Sequence, residues 1–326
     1  MYNTPKSDKL IEYSKNFISS GANTLVFDLH KENPFFFFVE SAKGSKIFDI
    51  DDNQYIDFLC GYGSLIFGHT YNLINLAIEK QLAKGLLFCF PTEAEVQLSK
   101  MLVDSSVFID QVRFMSTGTE AVMSAVRLAK YYTNRSLIIK FDGSYHGHAD
   151  SVLGKFYPQA QRGQYGIDPF LYDNTLLARY NNIEDVENYF LKYNNQIAVV
   201  IIEPIACNRN LTLPTTEFLA NLRKLCDQHG ALLIFDEVIT GFRFNYGSIV
   251  NKLKVEPDLV TFGKVLGGGT PIGVYGGKKH IMALHNSEND GLHFAGTFSA
   301  NPLTISASIA TLQELQKGHF YQHGEE

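Results

Sequence analysis

The chain has 326 residues, 45% of them hydrophobic and 19% charged, with a formal net charge of −6. That balance belongs to a globular protein with a large core rather than a disordered chain, and the negative charge argues against nucleic acid as the main partner. The length is about twice the usual ~150 residues of a domain, which allows one large domain with an appendage or two domains.

Cys60, Cys89, Cys207 and Cys226 show no C-x-x-C spacing, so free thiols in a reducing compartment are expected rather than a disulfide frame or a zinc site. The opening MYNTPKSDKL lacks the apolar core of a signal peptide. No apolar run approaches the ~18 residues of a membrane span, so a cytoplasmic protein away from membranes is expected.

In chain order, residues 7 to 18 read as a helix and 19 to 23 as a loop. Pro34 opens a strand, Phe35 to Glu40. It is followed by Lys46 to Ile50, the turn residues Asp51, Asp52 and Asn53, and Gln54 to Phe58, which together predict a small antiparallel unit. The four consecutive phenylalanines fit a strand buried on both faces better than a binding patch. Gly61, Gly63 and Gly68 precede a helix from about Tyr71 to Lys84, and their spacing misses the dinucleotide fingerprint.

From Glu93 the pattern alternates: helix 93 to 104, strand 111 to 115, helix 119 to 132, strand 136 to 141, an irregular segment 142 to 175, helix 183 to 192, strand 197 to 202, helix 215 to 229 and strand 231 to 236. Repeated β-α units predict an α/β fold with a mainly parallel sheet flanked by helices, in which ligands sit beyond the carboxyl ends of the strands. The expected division is an N-terminal segment 1–70 and a large α/β domain 71–326.

The residues after each strand are therefore the candidates. Strand 111 to 115 runs into Ser116, Thr117, Gly118, Thr119 and Glu120 at a helix start, where free N–H groups and the helix dipole suit a phosphate. The same residues fit a plain helix cap. Strand 136 to 141 delivers Tyr145, which could stack on a flat ring, and His146, His148 and Asp150, whose spacing does not complete a metal site. Strand 231 to 236 ends in Asp236, a buried acid that must bind a cation or be neutralised by a partner such as Arg243.

Lys264 then stands between an apolar run, Leu259 to Phe262, and the glycines 267 to 269 that precede a second run, Ile272 to Tyr275. Desolvation there favours the neutral amine that attacks a carbonyl, so Lys264 is expected to form a Schiff base, whereas Lys252 and Lys254 suit a solvated surface. A nucleotide loop is excluded, because Asp258 and Val265 stand where that motif needs Gly and Ser or Thr. Lysine chemistry with an acid suggests pyridoxal phosphate, whose ring nitrogen works best when a carboxylate keeps it protonated.

The segments STGTEA at 116 to 121, GSYHGHAD at 143 to 150, EPIACN at 203 to 208, LLIFDEVITGFR at 232 to 243, PDLVTFGKVLGGGTPIGVYGG at 257 to 277 and AGTFSANPL at 295 to 303 resemble the class III pyridoxal-phosphate-dependent aminotransferases, most of all the glutamate-semialdehyde aminomutase branch. The resemblance runs from about residue 20 to 315. It implies the type I fold, with Lys264 bound to the cofactor aldehyde and Asp236 on the pyridinium nitrogen. Gly118 and Thr119 would cup the phosphate, Tyr145 and Val238 would pack on the two ring faces, and Asn208 would sit near the ring hydroxyl. Thr297 would reach the phosphate of a neighbouring subunit, which implies a homodimer with shared sites acting on small amines and keto or aldehyde substrates.

Departures from the family pattern bear on substrate. Phe27 stands where the aminomutases carry a carboxylate-binding arginine, Tyr62 replaces a tryptophan, and KFYPQAQRGQYGIDPF is bulkier than the Gly/Ser-rich segment expected after GHAD. Loss of a bidentate charge pair makes transamination of another substrate the expected activity, with the intramolecular aminomutase reaction as the alternative. The chain stops at Glu326, where family members continue into a C-terminal domain. The usual C-terminal domain is therefore expected to be missing, and a truncated cofactor-binding protein without turnover is a third alternative.

Overall fold

The computed structural model describes residues 3–23, 37–155, 162, 166–285, 292 and 294–323. Phe27, the first two residues of the strand expected at 35 to 40 and much of the segment 155 to 170 lie outside the described residues. The chain forms two compact units, Met1–Asn72 and Leu73–Glu326.

The first unit contains the helix Pro5–Ser14 and a three-stranded antiparallel sheet, β1 (Val39–Lys43), β2 (Lys46–Asp49) and β3 (Gln54–Ile56), in that order. Asp49 builds the β2–β3 turn: its carboxylate accepts hydrogen bonds from the Asp51 and Asn53 N–H groups and from the Tyr55 hydroxyl at 2.7 Å. The second half of the phenylalanine run departs from expectation. Phe37 and Phe38 precede β1 and are half-buried, and the Phe37 ring stacks on Tyr55 at 4.2 Å, so they cover the sheet from a connecting segment rather than lie within a doubly buried strand. For Phe37 and Phe38 the expected strand is not formed, because the β1 ladder begins at Val39.

The second unit is built on a seven-stranded sheet of β4 (Gln111–Met115), β5 (Leu137–Phe141), β6 (Thr175–Ala178), β7 (Ile197–Ile202), β8 (Leu232–Asp236), β9 (Leu259–Gly263) and β10 (Gly273–Gly277). The strand order is β4-β10-β9-β8-β7-β5-β6. The neighbours from β9 to β6 pair parallel, and β10 is antiparallel to both β9 and β4. The runs IAVVII of β7 and LLIFD of β8 are buried at every position, which is the pattern of strands covered on both faces.

Helix Gly118–Thr133 buries Ala121, Val122, Ala125, Leu128 and Ala129 against this sheet. These small alanines let the helix lie close to the strands, and their 3.6-residue spacing is what made the helix legible. Glycines make the reversed strand β10 possible: a Cβ on Gly273 would meet the Thr117 carbonyl oxygen at 1.9 Å, and one on Gly277 the Asp258 carbonyl at 2.2 Å. The parallel strands and the start of β10 bring their ends to one edge, so residues 116–119, 142–148, 203–208, 236–238 and 264 all emerge on the same side.

Candidate active site

Lys264 follows β9 directly and opens a 3-10 turn, Lys264–Gly267. Its φ is 43°, in the left-handed region that non-glycine residues rarely adopt and that concentrates at functional positions. Burial holds its amine below the ordinary lysine range, and Arg243 pushes the same way, while Asp236 and Glu203 oppose the shift. A larger share of neutral amine is the result, the form a nucleophile needs.

Asp236 ends β8 and is 4% exposed. Its Oδ1 accepts from the Thr261 hydroxyl at 2.8 Å and from the Val238 N–H at 3.2 Å, and its Oδ2 lies 2.7 Å from His146 Nδ1. The register of β8 against β9 causes the first contact, since Asp236 and Thr261 are direct cross-strand partners. Here the structure corrects an expectation: the close side-chain partner from outside the sheet is His146, whereas the Arg243 Nε donates to the Ile239 carbonyl at 2.9 Å. Arg243 follows a turn that takes it past the acid, while His146 arrives from the exit of β5. His146 Nε2 is buried and has no hydrogen-bond partner among the described residues.

The two histidines diverge. His146 turns inward to Asp236, and His148 Nδ1 lies 3.4 Å from the Thr119 hydroxyl, so GSYHGHAD supplies site contacts rather than a ligand cluster. Among the described residues no group of three or more His, Cys, Asp or Glu is arranged to hold a metal ion. All four cysteines are free, and Cys207, between Glu203 and Asn208 in sequence, has its thiol pushed up to about 11 by burial and by the Glu203 charge.

The start of helix Gly118–Thr133 combines both readings of its sequence. Thr117 is the cap, with its hydroxyl accepting from Glu120 N–H at 3.1 Å, and Glu120 in return takes the Ser116 and Thr117 N–H groups at 2.7 and 2.9 Å. That capping box leaves the Gly118 and Thr119 N–H groups, which no described residue takes, at the positive end of a 16-residue helix. Gly118 is pressed against Val238, whose Cγ1 would stand 2.9 Å from an added Cβ, and Gly263 faces the same side chain. Gly147 packs on Thr119 in the same way. Gly118, Thr119, Val238, Asp236 and Lys264 thus share one locality at the sheet edge.

Tyr145 and Asn208 join it through a residue the sequence did not single out. Glu203, 2% exposed, accepts from the Tyr145 N–H at 2.9 Å and from Asn208 Nδ2 at 3.1 and 3.2 Å. Burial raises its carboxyl above the usual range, and His146 counters part of that rise. The signal for Glu203 was available, as an acid directly after an all-apolar strand, the same feature that marked Asp236. Thr297 stands apart. It is exposed and lines a cavity of about 660 Å³ with Phe88, Phe90, Arg113 and Met115, and the lining includes neither Lys264 nor Asp236.

These residues suit pyridoxal phosphate by donor set. Two unclaimed N–H groups at a helix start fit a phosphate, a buried acceptor-only carboxylate fits a protonated ring nitrogen, and an amine of lowered pKa fits an aldehyde.

Residues 28–326 match the aminotransferase class-III family. The chain belongs to that family. It is an enzyme of the pyridoxal-phosphate-dependent aminotransferase type, in a mixed, mostly parallel sheet flanked by helices. The chain is 43% identical over 98% of its length to the glutamate-1-semialdehyde 2,1-aminomutase of Syntrophomonas wolfei, of which it covers 75%. Among solved structures it is similar to an omega-transaminase from Sphaerobacter thermophilus, with TM-score 0.87 and 33% identity over 95% of this chain and 72% of that one. A transaminase with PLP bound superposes with TM-score 0.89 at 31% identity, covering 96% of this chain and 74% of its own.

Proposed function

We propose that Lys264 is the amine that carries the cofactor and that this class-III aminotransferase moves an amino group between small amine and keto or aldehyde substrates. The observation that carries the proposal is Lys264 itself, a half-buried lysine of lowered pKa and left-handed backbone at the edge where Asp236, Val238 and the Gly118–Thr119 N–H groups converge. When bound, pyridoxal phosphate supplies an electrophilic aldehyde carbon and an electron-withdrawing ring.

The chain's own residues do the rest. Gly118 and Thr119 would hold the phosphate through their N–H groups, an attachment that does not depend on Lys264. The released Lys264 amine takes a proton from the substrate α-carbon and later returns it, as general base and then general acid. Asp236, fixed by Thr261 and His146, holds a proton at the ring nitrogen. Tyr145 and Val238 would pack against the ring, Asn208 would meet its hydroxyl, and Thr297 would serve the phosphate of a second subunit in a homodimer. Residues 71–326 form the cofactor-binding domain.

A second reading is intramolecular transfer, the aminomutase reaction. The 43% identity to a protein of that name supports it, and Phe27 at the expected carboxylate-binding position weighs toward another substrate.

The test is an absorbance titration of the purified protein with pyridoxal phosphate and then with candidate amines. A visible band that Lys264→Ala removes, and that an amine converts to the pyridoxamine form, supports the assignment. A band unchanged in Lys264→Ala refutes it. Conversion by a diamine or by glutamate separates a transaminase from a mutase.

A further inference from the structure

Glu203 joins two segments that reach the site from different strands. Tyr145 lies in the loop after β5, and Asn208 lies in the turn after β7, five residues beyond Glu203 itself. One carboxylate oxygen is shared, taking the Tyr145 N–H at 2.9 Å and Asn208 Nδ2 at 3.2 Å, while the other takes Asn208 Nδ2 at 3.1 Å. The backbone beneath is fixed as well, because the buried Tyr180 hydroxyl donates to the Glu203 carbonyl at 3.0 Å.

An ionised carboxylate only accepts hydrogen bonds, whereas an asparagine amide has a donor end and an acceptor end. With both Glu203 oxygens within 3.2 Å of Asn208 Nδ2, reversing that amide would set its carbonyl oxygen against the carboxylate in a buried setting. The amide therefore has one permitted sense. A second tie between the same segments, Arg209 to Asp142 at 3.1 Å, is about one-third exposed on both sides and leaves the Asn208 amide alone.

We propose that Glu203 is a positioning residue that clamps the Tyr145 loop to the Asn208 turn and fixes the Asn208 amide with its nitrogen toward Glu203 and its carbonyl oxygen toward the cofactor side. The inference rests on the cofactor site proposed above. It assigns Glu203 no contact with cofactor or substrate: its action runs through Tyr145 and Asn208, and it decides which end of the amide a bound ring hydroxyl meets. His146, Asp236, Lys140, Lys264, Cys207 and Tyr180 are charged or titratable groups whose fields couple to the Glu203 carboxyl.

The experiment is a double-mutant cycle on the full chain, with wild type, Glu203→Gln, Asn208→Asp and the double variant. Pyridoxal phosphate affinity is read by equilibrium dialysis, the position of the cofactor absorbance band is recorded, and folding is checked by thermal melting. Asn208→Asp alone sets two carboxylates face to face, so affinity should fall about tenfold or more with a shifted band. The double variant should regain affinity to within about threefold of Glu203→Gln, since a glutamine nitrogen can donate to the carboxylate introduced at position 208 while its oxygen still accepts from the Tyr145 N–H. Arg209→Ala, which cuts the exposed tie, should leave the band in place.

Penalties that simply multiply in the double variant overturn the proposal. If Asn208→Asp does not fold and the double variant does, the rescue itself supports the clamp. If neither folds, the cycle is run with Asn208→Ala: Glu203→Gln should then cost nothing further, and an equal cost in both backgrounds overturns the clamp. Lys264→Ala in the same dialysis separates the two levels. A wild-type band that does not depend on Lys264 sinks the site assignment and the clamp with it, whereas a Lys264-dependent band with an additive cycle sinks the clamp alone.

Discussion

Two aspartates lie at opposite ends of the same pair of strands. Asp258 immediately precedes β9 and is 6% exposed, and Asp236 ends β8 and is 4% exposed. Asp258 is fully answered: Arg223 lies 2.7 Å from Oδ2, Lys278 lies 2.9 Å from Oδ1, and the Leu233 N–H donates at 2.8 Å. Burial pushes its carboxyl up, but the Arg223 charge and these hydrogen bonds hold it below the usual range. Asp236 has a hydroxyl, a backbone N–H and an imidazole, with no permanent cation among its close partners in the described residues. Burying a carboxylate is costly in both places, so the lesson lies in what offsets it. Two fixed cations make Asp258 a joint of the fold, whereas Asp236, near a lysine amine of lowered pKa, keeps capacity for a cation that arrives with a ligand.

Removing Lys264 should have the largest effect. Lys264→Ala should lower the half-reaction by at least about a thousandfold and abolish the lysine-dependent cofactor band, with the melting temperature nearly unchanged, because the proposed nucleophile and base are both removed while no core contact is. Stopped-flow absorbance with an excess amine would measure it. At the other end, Asp258→Ala should cost about 1–3 kcal/mol of stability, because the buried Leu233 N–H loses its acceptor, Lys278 loses this partner and Arg223 is left with Asp227 alone. Urea unfolding reads that loss. It should be greatest near neutral pH and shrink as the pH falls below the ordinary aspartate value of 3.8, because a depressed carboxyl contributes stability above its unfolded pKa and loses it on protonation.

The same contrast explains which parts of the molecule were legible in the sequence. The helices 93–104 and 183–192 and the strands 111–115 and 197–202 follow from clean periodicity and continuous apolar runs. β6 was not read as a strand because its four residues, TLLA, are a short run between Asn174 and Asn181, starting where the segment read as irregular ends. Lys264 and Asp236 stood out as charges at the ends of apolar strands, a local signal. Their partners did not: His146 meets Asp236 across 90 positions and Glu203 meets Tyr145 across 58, separations that only the strand order brings together. Strained backbone at Lys264 is likewise invisible to composition, since lysine carries no preference for positive φ.

Glu237 is a third acid at this edge, and it turns away from the site. Its carboxylate accepts from the Ile249 N–H at 2.8 Å, from Thr240 at 3.3 Å and from the Ser248 hydroxyl, with no cation beside it among the described residues, and burial pushes its pKa up to about 7. A raised folded pKa means that the folded state keeps a proton the unfolded state releases. Its contribution is present below the unfolded value of 4.5 and is lost as the pH rises through that value toward 7, by up to about 3 kcal/mol. Glu237→Gln, which cannot ionise, should flatten the fall in stability between pH 4.5 and 7 while leaving cofactor affinity within about twofold. Urea midpoints at several pH values would show it, and parallel pH slopes for the two proteins would remove Glu237 from the account.

The smallest effect bears most directly on the comparison. Asp236→Asn keeps the volume and the acceptor oxygen that Thr261 and Val238 need, and its amide can meet His146 in the tautomer whose Nδ1 accepts. Stability should therefore move by no more than about 1 kcal/mol, less than for Asp258→Ala. With Asp236 in its proposed role, the variant should lose the charge that holds a proton at the ring nitrogen, a charge-assisted hydrogen bond of about 2 kcal/mol, or roughly thirtyfold in the rate of proton abstraction. A primary isotope effect with α-deuterated amine tells a slowed proton transfer from weaker binding. An isotope effect that grows while cofactor affinity holds assigns Asp236 to the chemistry. A wild-type rate with lost stability would make Asp236 a joint like Asp258, and the distinction between the two ends of the sheet would fall.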